Sequence, residues 1–567
     1  MRIKRLAVSA FAALIASTAL PLAATAIAQD AWQPITEDFL NNPPDEAWPA
    51  KRRTPSALGY SPLDQINREN VADLELAFVL ETGVMGTNEG TPVVVNDVMF
   101  YQARSQRIIA ADAATGQLIW TYDYNVRPVE ERSELGIGGD QTSRGIVVYE
   151  NMVIANMGDA VILALDAQSG QEIWRTETNA QGYTSPGMIA GGILVSGGRA
   201  RDNDRASVTG VDTETGEILW ERYVIPGPGE PGYETWEVEG TAERGHGSVW
   251  GTPTYDPELN LVYIFVGNPD PYTRQTRPGD NLYTNSVLAL DPPTGEIVWY
   301  HQFVPNDSWD VDSIMEGILF DAEYQGEMRH LMIHTGKSGF TNLLDRETGE
   351  WLDYRFTAYQ NVFASVDENG RPTMNEDLVP RPGERVIACP STRGGTDWPA
   401  RSYSPDTGLY YISGNHVCMD VEGIEYSPGD PNRNLDDFRV RAPGYDEYIG
   451  ELWAIDPLTM ETAWSVTYEH PTSAIPLPTA GGLLFAGDVD NTVRAYADDS
   501  GELLWSHPVA STVEGHPISY MVDGVQYVAF PTGCCSIAGA GLASELTPDI
   551  LGLRGSAQIW VFRLPQD

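Results

Sequence analysis

The sequence predicts an all-β fold, an eight-bladed β-propeller with tryptophan-docking repeats. In each repeat a strand ends in Asp or a near equivalent, a Thr-Gly or Ser-Gly turn usually follows, and a second strand closes with tryptophan. Glycine supplies the positive φ that such hairpin turns require. All-β repeats with one aromatic residue each are typical of propeller blades. Seven repeats close with Trp120, Trp174, Trp220, Trp299, Trp351, Trp464 and Trp505.

An eighth repeat is implied near the beginning of the chain, where Phe78 takes the tryptophan's position in NVADLELAFVLETG. The last strand, SAQIWVFRLP, is expected to complete the blade begun there and so to close the ring. We expect one propeller domain over residues 29–567, with its largest insertion between Trp351 and Trp464. A propeller offers a central channel for a ligand but does not by itself identify a function.

Residues 1–28 are predicted to be a secretory signal peptide, with a membrane anchor as the alternative. A basic start precedes an apolar run, which ends in small residues with an Ala-x-Ala pattern at residues 26–28. No other stretch reaches the ~18 uninterrupted apolar residues of a membrane helix. We therefore expect an exported protein without a membrane anchor, located in the periplasm, where disulfides are permitted.

The chain is strongly acidic, with 35 basic and 80 acidic residues and a formal net charge of −45. Nucleic acids bind to basic surfaces, so this balance argues against a nucleic-acid partner. The charge fits a protein that steers a basic partner, and equally one whose acidic surface is simply solvated.

Three stretches carry a resemblance to a known family: YSPLDQINRENVADLELAF at 60–78, VWGTPTYDPELNLVYIFVGNPDP at 249–271 and NDSWDVDS at 306–313. Together with the repeat, they resemble the pyrroloquinoline quinone (PQQ) alcohol dehydrogenases, such as methanol dehydrogenase. The resemblance implies oxidation of an alcohol to an aldehyde or ketone. The alternative is a non-catalytic propeller scaffold, like those of outer-membrane protein assembly, which share the tryptophan repeat.

The resemblance also implies residues that contact the cofactor. Trp250 corresponds to the tryptophan beneath the quinone, because a flat cofactor needs an aromatic face; the alternative is a further blade-packing tryptophan. Fixed cations suit a quinone with three carboxylates. The implied contacts are Glu89, Arg144, Thr184, Trp250, Lys337 and Asp397, the last in place of the family's usual Asn.

For catalysis and metal binding, the resemblance points to three residues. Asp310 matches the general base, which takes the hydroxyl proton of the alcohol; a solvated loop carboxylate is the alternative. Asn268 and Asp310 match ligands of a hard cation such as Ca²⁺. Asp312 matches a second carboxylate that accompanies lanthanide-dependent members.

The sequence departs from the family at the glutamate that completes the metal site. Without gaps, Arg201 stands at that position, and a guanidinium cannot ligate a cation. Either Asp202 or Asp204 substitutes after a local shift, or metal binding is altered.

The cysteines depart from the family as well. Its vicinal pair, normally five residues before the arginine matched by Arg144, is replaced by Gly138-Gly139. We therefore expect Cys534–Cys535 to be a relocated vicinal disulfide facing the substrate cavity, with free thiols or a structural role as the alternative. Cys389–Cys418 matches a longer structural bridge of the family.

Electrons are expected to leave through a separate carrier such as a soluble cytochrome c. The haem-attachment motif Cys-x-x-Cys-His does not occur in the sequence, so no attached haem is expected. The identity of the alcohol substrate stays open, because it depends on long loops.

Overall fold

Antiparallel strands are the main regular element of the computed structural model, which describes residues 32–135, 142–201, 204–399, 401–425, 435–550 and 555–566. Within these ranges the strands form eight four-stranded sheets, one three-stranded sheet and one two-stranded sheet. The prediction of an all-β protein is confirmed. The predicted signal peptide lies outside the described residues.

Strand β1 (Glu75–Met85) precedes five sheets whose strands are consecutive in the chain. These sheets comprise β2 (Val93–Val95), β3 (Val98–Ala103), β4 (Arg107–Asp112) and β5 (Leu118–Asp123); β6 (Val147–Tyr149), β7 (Met152–Asn156), β8 (Val161–Asp166) and β9 (Glu172–Glu177); β10 (Met188–Ala190), β11 (Ile193–Gly197), β12 (Ser207–Asp212) and β13 (Ile218–Tyr223); β14 (Thr254–Asp256), β15 (Leu261–Phe265), β16 (Ser286–Leu290) and β17 (Ile297–Gln302); β18 (Ile318–Tyr324), β19 (Glu327–Thr335), β20 (Phe340–Asp345) and β21 (Trp351–Phe356).

The insertion after Trp351 folds into two small sheets. One is the hairpin β22 (Phe363–Val366) and β23 (Pro372–Met374), and the other contains β24 (Arg385–Ala388), β27 (Val417–Glu422) and β28 (Asp436–Arg441). The predicted Cys389–Cys418 disulfide is present and fully buried, and it ties the end of β24 to β27.

The remaining four-stranded sheets follow around and after this insertion. They comprise β25 (Ser402–Ser404), β26 (Leu409–Asn415), β29 (Gly450–Ile455) and β30 (Thr462–Tyr468); β31 (Leu477–Thr479), β32 (Leu483–Gly487), β33 (Thr492–Ala497) and β34 (Leu503–Pro508); and β35 (Ile518–Val522), β36 (Val525–Thr532) and β37 (Ser556–Arg563) together with β1.

The pairing of β1 with β37 joins the two ends of the described chain in one sheet. Leu80 lies opposite Ile559, and β37 pairs on its other edge with β36. The prediction that the last strand completes a sheet begun near the N-terminus is confirmed.

Helices are few and short in the described ranges. They are α1 (Glu37–Asn41), α2 (Val129–Leu135), α3 (Leu542–Leu546), a π-helix (Ile537–Gly541) and 3-10 turns at Val71–Asp73, Arg104–Gln106, Tyr233–Thr235, Ala242–Arg244, Arg274–Thr276, Glu376–Leu378 and Pro548–Ile550. None of the described helices has the length and apolar character needed to cross a bilayer.

The repeat tryptophans pack against the turn of the following sheet. Trp174 closes one repeat, and a Cβ atom added to Gly216, in the next repeat, would lie 2.7 Å from Trp174 Cδ2. The glycine can approach so closely because it has no side chain. The same contact joins Phe78 to Gly116, Trp120 to Gly170, Trp220 to Gly295, Trp299 to Gly349 and Trp464 to Gly501.

A hydrogen bond accompanies this packing at several interfaces. The indole Nε1 donates to a backbone oxygen in the turn of the next sheet. The acceptor residue is the turn aspartate or the residue directly after it. The bonds run from Trp120 to Ala167 (2.9 Å), from Trp174 to Thr213 (3.0 Å), from Trp220 to Pro292 (2.9 Å) and from Trp464 to Asp498 (2.9 Å). The repeat therefore encodes contacts between neighbouring sheets.

The N-terminal segment, residues 35–61, hydrogen-bonds to each of the eight four-stranded sheets, which the sequence did not predict. It crosses the ends or first strands of the sheets rather than joining one of them. The bonds pair Ile35 with Glu150, Glu37 with Gly191, Glu46 with Met521, Trp48 with Val94, Pro55 with Tyr255, Ser56 with Leu319, Leu58 with Tyr403 and Ser61 with Pro478. This segment thus ties all eight sheets together.

The docking contact can be tested by adding a methyl group at a turn glycine. Gly216 (φ +75°) and Gly326 (φ +89°) are both left-handed, but only Gly216 faces a tryptophan, and Gly326 has no atom within 4 Å of its built Cβ. The left-handed backbone alone should cost each Ala variant about 1 kcal/mol. We expect Gly216→Ala to lose a further ~1–3 kcal/mol of unfolding free energy through overpacking, measured by denaturant titration. Equal losses in the two variants would contradict the docking role.

Candidate active site

All nine residues implied for cofactor, metal and catalysis line one cavity of about 480 Å³. This volume lies within the range of about 300–1,000 Å³ usual for ligand pockets. The nine are Glu89, Arg144, Thr184, Trp250, Asn268, Asp310, Asp312, Lys337 and Asp397. They come from segments more than 300 positions apart in the chain, and the fold brings them together.

Trp250 lies beneath two cations in this cavity. The guanidinium carbon of Arg144 is 5.0 Å from the centre of the Trp250 ring, and Lys337 Nζ is 5.9 Å from it. Arg144 also lies 5.3 Å from the ring of Trp398. An aromatic face flanked by fixed positive charge suits a flat anionic ligand.

Arg144 is held by its neighbours on one side. Its Nη2 lies 2.8 Å from Glu89 Oε2, and its Nη1 donates to Thr184 Oγ1 at 2.9 Å. Arg144 is only 8% exposed, and its Nε has no hydrogen-bond partner among the described residues. These contacts fix the orientation of the guanidinium and leave its Nε–H available as a hydrogen-bond donor to a ligand.

Lys337 bridges the two carboxylates of the WDVD stretch. Its Nζ lies 3.2 Å from Asp310 Oδ1 and 2.8 Å from Asp312 Oδ2, while the backbone N–H of Asn268 donates to Asp312 Oδ1 at 2.8 Å. Burial raises the pKa of Asp310 well above its ordinary value, opposed by Lys337 and reinforced by Asp312. Burial alone would lower the pKa of Lys337, but the carboxylates of Asp310 and Asp312 raise it.

The backbone of Asp310 is left-handed, with φ +59°, an uncommon conformation for a residue with a side chain. The fully buried carboxylate of Asp307 accepts the N–H groups of Trp309 at 2.8 Å and of Val311 at 2.9 Å, on either side of Asp310. Arg277, also fully buried, donates to the backbone oxygen of Asp307. Asp307 is thus a positioning residue that holds Asp310 in this conformation.

Arg201, which the resemblance places at the glutamate position of the metal site, does not line the cavity. Arg199 lines the cavity instead, beside His246 and Ser248, whereas Arg201 lines a separate depression near Glu177. The backbone decides this, because the N–H of Ala200 donates to Ser248 Oγ at 3.0 Å and so anchors the chain next to Arg199.

Of the two aspartates considered as substitute ligands, only Asp204 belongs to the described residues. Asp202 lies outside the described residues, and Asp204 is not part of the cavity lining. The Asp204 carboxylate accepts the backbone N–H of Arg205 at 2.8 Å.

The loop with Cys534 and Cys535 forms another wall of the cavity. The structure links the two sulfurs, and Cys535 lines the cavity. Gly138 and Gly139, the positions from which the pair was inferred to have moved, lie outside the described residues.

Glu514 lies buried beside this loop and was not singled out from the sequence. It is 0% exposed, its Oε1 accepts the N–H of Ser536 at 2.6 Å, and its Oε2 has no partner among the described residues. Burial raises the pKa of Glu514 to about 8, partly offset by the Ser536 hydrogen bond and increased by the charge of Glu89.

The sequence did not indicate several further lining residues, among them Arg104, Arg199, Arg393 and Trp398. Trp398 could have been found, since like Trp250 it stands outside the repeat pattern. The arginines carry no local signal, because contacts between distant segments set which arginine side chains line the cavity.

The residues present fit the cofactor that the resemblance implies. Trp250 offers a face, Arg144 and Lys337 offer charge, and the unpartnered Arg144 Nε marks a place for an acceptor. The oxygen donors of Asn268, Asp310 and Asp312 also suit a hard cation. Arg199 contributes no ligand, because a guanidinium cannot coordinate a cation.

The buried carboxyl of Glu514 predicts a pH-dependent stability. The folded state keeps the proton up to about pH 8, while the unfolded chain loses it near the ordinary pKa of 4.5. The stability contributed by the protonated Glu514 carboxyl is fully present below about pH 4.5 and is lost as the pH rises from there to about 8. Relative to the wild type, Glu514→Gln should therefore gain on the order of 3 kcal/mol in unfolding free energy between pH 5 and pH 8.

Denaturant titrations at the two pH values measure this difference. The control is Glu323→Gln, which changes an exposed carboxylate on β18 and should show no such gain. If the unfolding free energies of Glu514→Gln and the wild type changed equally between the two pH values, the assignment of a protonated carboxyl would be wrong.

Most of the chain matches proteins of known activity. The family profile described as "PQQ: Glucose/ethanol/alcohol dehydrogenase, beta-propeller domain" matches residues 48–353 and 437–528. Quinohemoprotein alcohol dehydrogenase ADH-IIG of Pseudomonas putida is 35% identical over 546 residues, which cover 90% of this chain and 75% of that protein. The lanthanide-dependent methanol dehydrogenase of Methylorubrum extorquens is 32% identical over 534 residues, which cover 87% of this chain and 88% of that protein.

The fold agrees with these matches. A solved europium-containing methanol dehydrogenase superposes with a TM-score of 0.85 at 28% identity, covering 93% of this chain and 99% of the other. The predicted β-propeller and the resemblance carried by the three sequence stretches are thus confirmed. The chain belongs to the family of PQQ-dependent alcohol dehydrogenases.

Proposed function

We propose that this protein is a periplasmic quinoprotein that oxidises an alcohol to an aldehyde or ketone, with PQQ bound in the 480 Å³ cavity. The observation that carries the proposal is the convergence of all nine implied residues on that cavity. A non-catalytic scaffold would have no need for this convergence, so the enzyme is favoured. The proposal includes eight blades, one for each four-stranded sheet of the described chain.

The cofactor would stack on Trp250. Arg144, oriented by Glu89 and Thr184, would bind a carboxylate through its unpartnered Nε and its outer edge. Lys337, over the same ring, would contact the quinone edge. Bound PQQ supplies an ortho-quinone that accepts the hydride leaving the alcohol carbon.

Asp310 is the general base in this proposal. Its carboxylate takes the hydroxyl proton of the alcohol as the hydride leaves, so the alcohol loses two electrons and two protons in total. Lys337, 3.2 Å from Asp310 Oδ1, and the left-handed backbone braced by Asp307 keep the carboxylate in one orientation. Preorganisation of this kind lowers the barrier because the base need not reorient during the reaction.

Asn268, Asp310 and Asp312 would hold the metal ion. Their oxygen atoms suit Ca²⁺, and the second carboxylate of Asp312 suits a trivalent lanthanide as well.

Electrons would pass to a separate acceptor, such as a soluble cytochrome c. The sequence contains no Cys-x-x-Cys-His, whereas the Pseudomonas putida relative is named a quinohemoprotein. The Cys534–Cys535 pair, at the cavity wall, would shape the substrate space rather than stabilise the chain, because a bridge between neighbours closes almost no loop.

Reconstitution with PQQ tests the proposal directly. We expect the full chain, loaded with PQQ and Ca²⁺ or a lanthanide and then dialysed, to retain one PQQ per chain by absorbance. Trp250→Ala should bind PQQ at least about tenfold more weakly, because the stacking face is lost. Trp32→Ala, which changes a peripheral tryptophan, serves as the control. Failure of the wild type to retain any quinone with either metal would rule out the proposed function.

Substitution of Asp310 tests the general base. Asp310→Asn keeps the shape of the side chain but cannot accept a proton, so dye-linked turnover should fall by about 10²–10⁴-fold while PQQ stays bound. Asp64→Asn, at an exposed position outside the cavity, is the matched control. Unchanged turnover in Asp310→Asn would remove Asp310 from this role.

A further inference from the structure

Two arginines of the cavity have no acidic partner in the described part of the chain. Arg104 Nη1 makes one long hydrogen bond, 3.4 Å to Thr87 Oγ1, and Arg393 Nε is buried without a hydrogen-bond partner. Neither arginine forms an ion pair with any described residue, although acidic residues outnumber basic ones 80 to 35 in the whole chain. In so acidic a protein, a cavity with unpaired arginines indicates a need for an anion.

The acidic groups of the cavity are all engaged elsewhere. Glu89 pairs with Arg144, and Asp310 and Asp312 pair with Lys337. The carboxylate of Asp397 accepts the backbone N–H of Trp398 at 2.7 Å. None of these groups neutralises Arg104 or Arg393.

The two arginines lie apart from the floor where the cofactor would stack. Of the cavity cations in the described ranges, Arg144 and Lys337 are the two that lie over the Trp250 ring. Arg104 packs against Gly86, whose oxygen lies beside Gly533, next to Cys534. Arg104 therefore belongs to the wall formed by the cysteine loop, where substrate space is expected.

Arg393 approaches from the inserted segment. Its neighbour Gly394 packs against the backbone of Lys337, and the N–H of Gly395 donates to Lys337 O at 2.7 Å. This contact fixes the loop that carries Arg393 relative to the base, because Lys337 also holds Asp310.

We propose that Arg104 and Arg393 recognise an anionic group on the substrate, so that the preferred substrate is an alcohol that also carries a carboxylate. This inference rests on the proposed alcohol oxidation. Guanidinium groups bind carboxylates through charge-assisted, often bidentate hydrogen bonds, which are stronger than bonds between neutral groups.

The test compares two probes of similar shape, 4-(hydroxymethyl)benzoate and benzyl alcohol, with the full chain loaded with PQQ and metal. We expect the wild type to show kcat/KM at least about tenfold higher for the acid, since one such interaction contributes a factor of this size. The preference for the acid should appear as a lower KM. The ratio of the two kcat/KM values should decrease when the salt concentration is raised from 0.05 to 0.5 M, because salt screens the interaction between the charges.

Arg104→Gln and Arg393→Gln should each bring the ratio of the two kcat/KM values close to one. Arg329→Gln, on the outer surface and paired with Glu350, is the control and should keep the wild-type ratio. Benzoate, which cannot be oxidised, provides a readout independent of turnover. Calorimetric titration should show it binding to the wild type and Arg329→Gln more tightly than to the two cavity variants.

Three results would overturn the inference: equal kcat/KM for the two probes in the wild type, loss of PQQ retention in Arg104→Gln or Arg393→Gln, or benzoate binding that does not depend on either arginine. Loss of PQQ would assign the arginines to the cofactor carboxylates. Retention of PQQ with no oxidation of either probe counts against the proposed function, and the benzoate titration then still decides whether the arginines bind an anion.

Discussion

The contact between a repeat tryptophan and the turn of the next sheet, which most of the repeats make, is the constraint on which the rest of the fold depends. A sheet with one tryptophan cannot bury that side chain by itself, whereas a neighbour with a turn glycine offers a flat surface and a backbone oxygen. Because the contact runs from one sheet to the next, it sets their order and spacing. The central cavity is the space left between the sheets arranged in this way.

The N-terminal segment adds a second, non-repeating constraint. Lys51, within that segment, forms a buried ion pair with Glu316 and donates to Thr252 Oγ1 at 3.1 Å. A small internal space lies between Lys51, Glu316 and Trp250. The buried pair thus lies close to Trp250, and its charges are tolerated there because each has a partner. The N-terminal segment therefore reaches the neighbourhood of the cavity floor from outside the repeats.

Rigid placement of the candidate base follows from a similar use of buried polar groups. Asp307 is fully buried, and its carboxylate accepts hydrogen bonds from the backbone N–H groups on either side of Asp310. The left-handed backbone of Asp310 costs about 1–2 kcal/mol, which these bonds offset. Strain that is held in place in this manner is common at functional sites, where geometry matters more than local stability.

The repeat, the pairing of the first and last strands and nine of the residues that line the cavity were predictable from the sequence. These features are local patterns, such as Thr-Gly turns followed by tryptophan, or short motifs such as NDSWDVDS, that can be recognised without knowing distant contacts. The Cys389–Cys418 bridge was also predicted, from the resemblance. What the sequence did not determine is where a loop turns between anchored points. Only the tertiary structure placed Arg199 rather than Arg201 in the cavity, buried Glu514 beside the cysteine loop, and drew Arg104 and Arg393 to one space. The physical reason is that the direction of these side chains depends on non-local contacts, such as that of Ala200 with Ser248, which no spacing along the chain records.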